Sequence, residues 1–122
     1  MLSADVGVPA RLSAGFGVIL VTSHLPESRR GFALNVDAGQ GAGRLSVGAI
    51  EYDYMGSAMQ LRASVLRTWR DPWRVEANQT FVGPEIRFSP LVITFGIGYY
   101  WRTAGSAPGD DRFFAPTIGF RL

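Results

Sequence analysis

One short segment of the chain carries the residue types of a hydrolytic site. His24 is the single histidine, and Ser23, Glu27 and Ser28 lie within four residues of it. A serine nucleophile needs a base within hydrogen-bond reach and an acid that orients the base. The segment also contains Pro26 and two charged or titratable groups, which is more typical of a solvated turn. We therefore expect no enzyme activity, and a hydrolase that uses His24 is the minor alternative.

A second group of reactive side chains is charged and alternates with apolar residues along the chain. Its members share the polar face of the expected strands: Asp37, Arg62, Glu85, Arg87, Arg102 and Arg121. Arginines and carboxylates buried together can satisfy one another through charge-assisted hydrogen bonds. The same side chains could instead line a passage for small solutes. Because the interior of an eight-stranded barrel is just wide enough for side chains, a sealed charge cluster is favoured over a pore.

The composition restricts other kinds of chemistry. The 122 residues include no cysteine, which excludes disulfides, thiolate metal sites and cysteine nucleophiles. All twelve cationic side chains are arginines, and ten acidic residues reduce the formal net charge to +2. With no basic cluster in the chain, a nucleic-acid partner is not expected. We predict no cofactor and no metal site.

Alternation of apolar and polar residues with a period of two covers nearly the whole chain. Turn-like segments rich in Gly, Pro, Ser and Asp separate the alternating stretches. The alternation predicts strands near 11–22, 31–39, 44–54, 58–70, 75–88, 91–102 and 112–122. Because the connections are short, consecutive strands should be antiparallel neighbours. The prediction is one all-β domain over residues 1–122, an antiparallel up-and-down meander closed into a small barrel.

Seven strands would leave open edges, so an eighth strand is needed to close the barrel. Residues 2–8, which precede Pro9-Ala10, can supply an eighth strand. Single-chain bacterial barrels have even strand numbers, and lipid does not tolerate open edges. We therefore predict eight strands. In the alternative, residues 2–22 form one long strand and another chain closes the barrel, which would make this protein a subunit of a larger membrane assembly.

The third of the seven strands has an irregular pattern. Ile50, Tyr52 and Tyr54 fall out of phase with the apolar positions Leu45 and Val47. A β-bulge near residues 48–49 would restore the phase, because a bulge adds one residue to one strand of a pair. We expect a bulge there.

The two faces of the strands differ in a way that predicts their orientation. One face is apolar, and the other carries nine glycines together with arginines and acids. Glycine is a poor choice for a water-facing strand surface, but it suits a crowded lumen. Several of the expected strands are also long enough to cross a bilayer, which takes about 9–11 residues. We predict a transmembrane barrel with its apolar face toward lipid; the alternative is a soluble lipocalin-like barrel that binds a small apolar ligand inside.

Large aromatic residues lie near the ends of the expected strands, where membrane-interface girdles occur. We predict this role for Trp69, Trp73, Phe88, Tyr99, Trp101 and Phe120.

The sequence is similar to small bacterial outer-membrane β-barrel proteins with eight strands, of the OmpA/OmpX-like type. The resemblance lies in Phe81–Phe88 (FVGPEIRF), the Ser89-Pro90 turn and Leu91–Arg102 (LVITFGIGYYWR), with glycine-alternating strands around a short turn. The alternating end Pro116–Leu122 also resembles the C-terminal strand of this family, which usually finishes in Phe or Trp rather than Leu. The resemblance implies a location in the bacterial outer membrane and membrane lipids as partners. It further implies a structural, adhesive or scaffolding role beside another envelope protein. Because some barrels of this family modify lipid A, the minor enzyme alternative for His24 is a lipid A-modifying activity.

Overall fold

The computed structural model describes residues 1–8, 10–24, 26, 28–53, 55–70, 77–105 and 111–122. Long alternating segments form strands, and the short segments rich in turn-forming residues connect them. The described residues form eight strands: β1 (Leu2–Gly7), β2 (Arg11–His24), β3 (Ser28–Gly39), β4 (Ala42–Asp53), β5 (Ala58–Thr68), β6 (Thr80–Ser89), β7 (Ile93–Ala104) and β8 (Arg112–Arg121).

The strands form a closed antiparallel meander, as the sequence predicts. Each strand pairs with the next, and β8 pairs with β1 to complete the barrel. The predicted eighth strand at residues 2–8 is β1, and it is separate from β2. Arg11 begins β2 with a φ of 66°, a left-handed conformation that suits a tight reversal. Because β8 pairs with β1, the chain closes the barrel with its own strands.

The barrel has two ends, which we name by the chain segments they carry. The terminal rim holds Met1, Leu122 and the connections that follow β2, β4 and β6. The distal rim holds the connections that follow β1, β3, β5 and β7. The two longest connections join β5 to β6 and β7 to β8, and the strand ends that they join lie at the distal rim.

The alternation places the apolar face of the sequence on the outside of the barrel. Leu20, Phe32 and Leu61 are 70%, 60% and 62% exposed. The polar face turns inward, where Asn35, Ser64 and Thr94 are buried. Successive side chains of a strand point to opposite faces of a sheet. One face must therefore enter the lumen, and in this barrel it is the face with the glycines and charged residues.

The predicted bulge near residues 48–49 is wrong. β4 keeps an unbroken register with both β3 and β5, and the register irregularities of β2–β3 and β6–β7 lie elsewhere. Ile50 is instead only 3% exposed and packs inside the barrel with Ala33 and Ala58, beside the half-buried Tyr52. An apolar cluster thus lies in the lumen near the terminal rim, and the change of phase reflects an apolar side chain at an inward position. Tyr54 lies outside the described residues.

Several strand boundaries differ from the predicted ones by a few residues, and two of these differences have a local reason. β6 begins at Thr80 rather than residue 75, because Asn78 adopts a φ of 59° and turns the chain. β7 begins at Ile93 rather than residue 91, because Leu91 has a φ of 58°. Residues 75 and 76 lie outside the described part of the chain.

Candidate functional site

Six charged side chains meet in the middle of the barrel lumen. Three are carboxylates and three are guanidinium groups, so their formal charges cancel. Each side chain is at most 8% exposed. We call this group the lumen network; its members are Asp5, Asp37, Arg44, Arg62, Glu85 and Arg87.

Glu85 of β6 is the centre of the lumen network. Its Oε1 accepts hydrogen bonds from Arg62 Nη2 at 2.7 Å and Arg87 Nε at 2.6 Å. Its Oε2 accepts from Arg44 Nη1 at 3.1 Å and from the Tyr100 hydroxyl at 2.8 Å. Each carboxylate oxygen thus accepts hydrogen bonds from two donors. Arg44, Arg62 and Tyr100 reach Glu85 from β4, β5 and β7.

Two further carboxylates extend the network across the lumen. Asp37 Oδ2 accepts from Arg44 Nε at 3.0 Å and from Nη2 at 2.9 Å. Asp5 Oδ2 accepts from Arg87 Nη1 at 2.8 Å and lies 3.8 Å from Arg44 Nη2. These contacts connect β1, β3, β4 and β6. Hydrogen bonds between charged groups are about twice as strong as neutral ones, so the network ties opposite walls of the barrel together.

Glycines on the remaining walls leave room for the carboxylates. A Cβ atom on Gly15 of β2 would collide with the Asp37 carboxylate, and one on Gly119 of β8 would collide with the Asp5 carboxylate. These glycines are therefore needed for space. They account for part of the glycine content of the inward face, which sequence analysis attributes to a crowded lumen.

Apolar side chains fill the lumen on both sides of the network. Toward the distal rim, Phe81 packs edge-on against Phe113 with ring centroids 4.9 Å apart, and Tyr100 stacks on Phe113 at 5.5 Å. Toward the terminal rim lies the cluster around Ile50. A cavity beside Asp37 and Arg44 measures about 10 Å³, which is at most the room that one water molecule needs. The described interior is packed with side chains.

The structure brings together four of the six charged residues that sequence analysis selects. These are Asp37, Arg62, Glu85 and Arg87. Arg102 lies at the distal rim, where its Nη1 donates to Gln79 Oε1 at 3.1 Å. Arg121 lies at the terminal rim, with its guanidinium carbon 5.2 Å from the centre of the Tyr52 ring.

Three other members of the site are not among the residues selected from the sequence: Arg44, Tyr100 and Asp5. Arg44 and Tyr100 lie on the same polar face as the selected residues, so alternation alone could have identified them. Asp5 is different, because β1 has only six residues and offers a weak pattern. Its role follows from the pairing of β1 with β8, which alternation within one strand cannot show.

The aromatic residues predicted to lie at the interfaces divide between the two rims. At the distal rim, Trp69 is 39% exposed and donates its Nε1–H to Gly39 O at 3.0 Å, and Trp101 is 42% exposed. Tyr99 packs against the outward-facing Phe114 with ring centroids 5.0 Å apart. At the terminal rim, Phe88 and Phe120 are 48% and 62% exposed. Trp73 lies outside the described residues.

The candidate hydrolytic group is only partly placed. His24 is the last residue of β2, where its backbone pairs with Arg29. Glu27, the acid of that hypothesis, lies outside the described residues. Among the described side chains, no group of three or more His, Cys, Asp or Glu residues could hold a metal ion.

No helix in the described part of the chain is long and apolar enough to cross a membrane. Comparison with protein-family models, curated proteins and solved structures finds no match to this chain.

Proposed function

We propose that this protein is a small transmembrane β-barrel of the bacterial outer membrane, of the OmpA/OmpX-like type. Its lumen is sealed by paired charges, and its role is structural, adhesive or scaffolding rather than enzymatic. The observation that carries the proposal is the distribution of side chains, which is the reverse of that in a water-soluble barrel. Large apolar residues cover the outside, and a neutral ionic network lies inside.

The outer surface supports a lipid environment. Exposed apolar side chains occur on all eight strands, including Val6, Val18, Val47, Ile97 and Ile118. Soluble monomers rarely expose a contiguous apolar patch of more than a few hundred Å². Transmembrane barrels carry an outward apolar band with aromatic girdles at both interfaces. A soluble carrier of an apolar ligand would instead need its apolar face inside, around a cavity.

The lumen network supports a sealed barrel. Burying a charge without a partner is expensive, and a buried pair is tolerated when hydrogen bonds satisfy both members. Here three carboxylates and three guanidinium groups bond across the lumen, and aromatic and aliphatic side chains pack above and below them. The interior therefore favours a rigid plug that holds the strands together, and the rims are left to contact partners.

The first experiment compares the protein with and without a mild detergent by size exclusion and unheated gel mobility. We expect solubility only with detergent and a compact band whose mobility changes on heating. Solubility as a monomer in plain buffer would contradict the membrane assignment.

A second experiment tests the seal after reconstitution in lipid vesicles. We expect the vesicles to retain an ion gradient as long as protein-free vesicles do. A steady conductance would show a pore, and the structural role would then give way to solute passage.

A further inference from the structure

Two adjoining depressions mark the outer wall near the distal rim. The first, which we call the rim pocket, has a volume of about 350 Å³ and is lined by Tyr99, Trp101, Arg102, Asp111 and Arg112. The second, which we call the wall groove, has a volume of about 570 Å³. Trp101 lines both depressions, so the wall groove begins where the rim pocket ends.

The wall groove has a shallow floor between larger side chains. Ala63 and Pro84 face each other across β5 and β6, and both are short. Val65 lies beside them on β5, and Val47 and Trp101 lie on β4 and β7. The lining is almost entirely apolar and comes from five strands, β3 to β7.

The strand register gives the groove a direction. Outward residues that are partners on neighbouring strands form one continuous row around the wall, and this row starts at the distal rim and finishes at the terminal rim. The row consists of Arg112, Trp101, Val82, Val65, Leu45, Val36, Phe16 and Leu2. The groove follows the first half of this row. It therefore descends from the rim into the apolar band, as an acyl chain does from its headgroup.

The rim pocket carries a guanidinium group that can bind an anionic headgroup. Arg112 contributes this group beside the carboxylate of Asp111, while the Nη1 of Arg102 donates to Gln79 Oε1 at 3.1 Å. Arg112 is exposed and forms no ion pair with any described carboxylate. Guanidinium groups bind phosphate through paired, charge-assisted hydrogen bonds, and the rings of Tyr99 and Trp101 suit the boundary between headgroups and hydrocarbon.

We propose that the rim pocket and the wall groove together bind one anionic phospholipid. The phosphate lies at Arg112, and one acyl chain passes Trp101 and lies over Ala63 and Pro84. This inference rests on the proposed membrane location. A second copy of the chain is a poorer occupant, because a two-fold interface would bring the exposed Arg112 of both copies to the same interface.

The test uses the full chain in detergent, mixed with phosphatidylglycerol and phosphatidylcholine of identical acyl chains, and measures bound lipid by native mass spectrometry. We expect one phosphatidylglycerol per chain, bound in preference to phosphatidylcholine. R112Q should weaken this binding about tenfold, since it removes a charged hydrogen-bond donor. The matched control is R30Q, which changes an exposed arginine at the other rim that pairs with Glu51 at 3.2 Å; it should leave lipid binding unchanged.

A second variant tests the groove separately from the charge. A63F fills the floor and should release the phospholipid, while glycerol phosphate without acyl chains should compete only weakly with the intact lipid. Equal binding of both lipids, or equal effects of R112Q and R30Q, would overturn the inference. So would a dimer that A63F dissociates, because a second copy would then occupy the groove. If the chain inserts into vesicles and still shows no lipid preference, only this inference fails; if it does not insert, the proposed function fails as well.

Discussion

Arg87 Nη1 donates a 2.8 Å hydrogen bond to Asp5 Oδ2, although 82 positions separate the two residues in the sequence. Asp5 lies on β1 and Arg87 on β6, so the bond crosses the barrel lumen between strands that are not neighbours. Both side chains are buried. The strand ladder holds adjacent strands only, and this contact adds a connection through the centre.

The bond predicts energetic coupling between the two residues. In a double-mutant cycle of D5N and R87Q, we expect a coupling free energy of about 0.5–3 kcal/mol, as for residues in one buried network. Urea unfolding in detergent micelles measures the four free energies of unfolding. The exposed pair Arg30–Glu51 is the matched control and should give about 0–1 kcal/mol. Strictly additive effects of D5N and R87Q would contradict a cross-lumen bond.

Loss of the central carboxylate should destabilise the barrel more than any exposed change. E85Q leaves three buried guanidinium groups against two carboxylates, and breaking a buried ion pair costs about 3–5 kcal/mol. We expect a matching fall in the free energy of unfolding and in the temperature at which the compact gel band disappears. E51Q, which breaks an exposed pair, serves as the control. Equal midpoints for the two variants would show that Glu85 is not the centre of the network.

Added side-chain volume inside the lumen should lower the free energy of unfolding. G15A adds one methyl group where the Asp37 carboxylate lies, and overpacking of this kind costs about 1–3 kcal/mol. A14V adds bulk to the next residue, which points outward, and should change stability little. Denaturant midpoints of the two variants give the comparison. A G15A variant as stable as the wild type would mean that the lumen has spare room.

A charged residue introduced on the outer wall tests whether lipid or water surrounds the barrel. Val18 lies near the middle of β2 and is 53% exposed. V18R should cost about 2–4 kcal/mol in a bilayer, the range for arginine near the midplane on a lipid-facing strand. Folding yield into vesicles measures the effect, with M55R in the β4–β5 turn as the control. If V18R folds as well as M55R, the wall does not face hydrocarbon.

Alternation along each strand was enough to predict which residues share a face. The strand positions and the grouping of Asp37, Arg62, Glu85 and Arg87 on one side follow from it, and the antiparallel order follows from the short connections. The reason is local, since successive side chains of an extended chain point in opposite directions wherever the strand lies. The same rule failed at Ile50, because this apolar side chain points into the lumen near the terminal rim.

The sequence by itself therefore determined the strands, their two faces and the residue types available to the lumen. Only the tertiary structure decided which charges meet, because contacts across the lumen depend on the stagger accumulated over all the strand pairs of the closed barrel. That stagger brings Asp5 of β1 to Arg87 of β6, and Arg44 of β4 to Glu85 of β6. It also aligns outward residues from Arg112 to Leu2 into one row, which no segment of the chain contains.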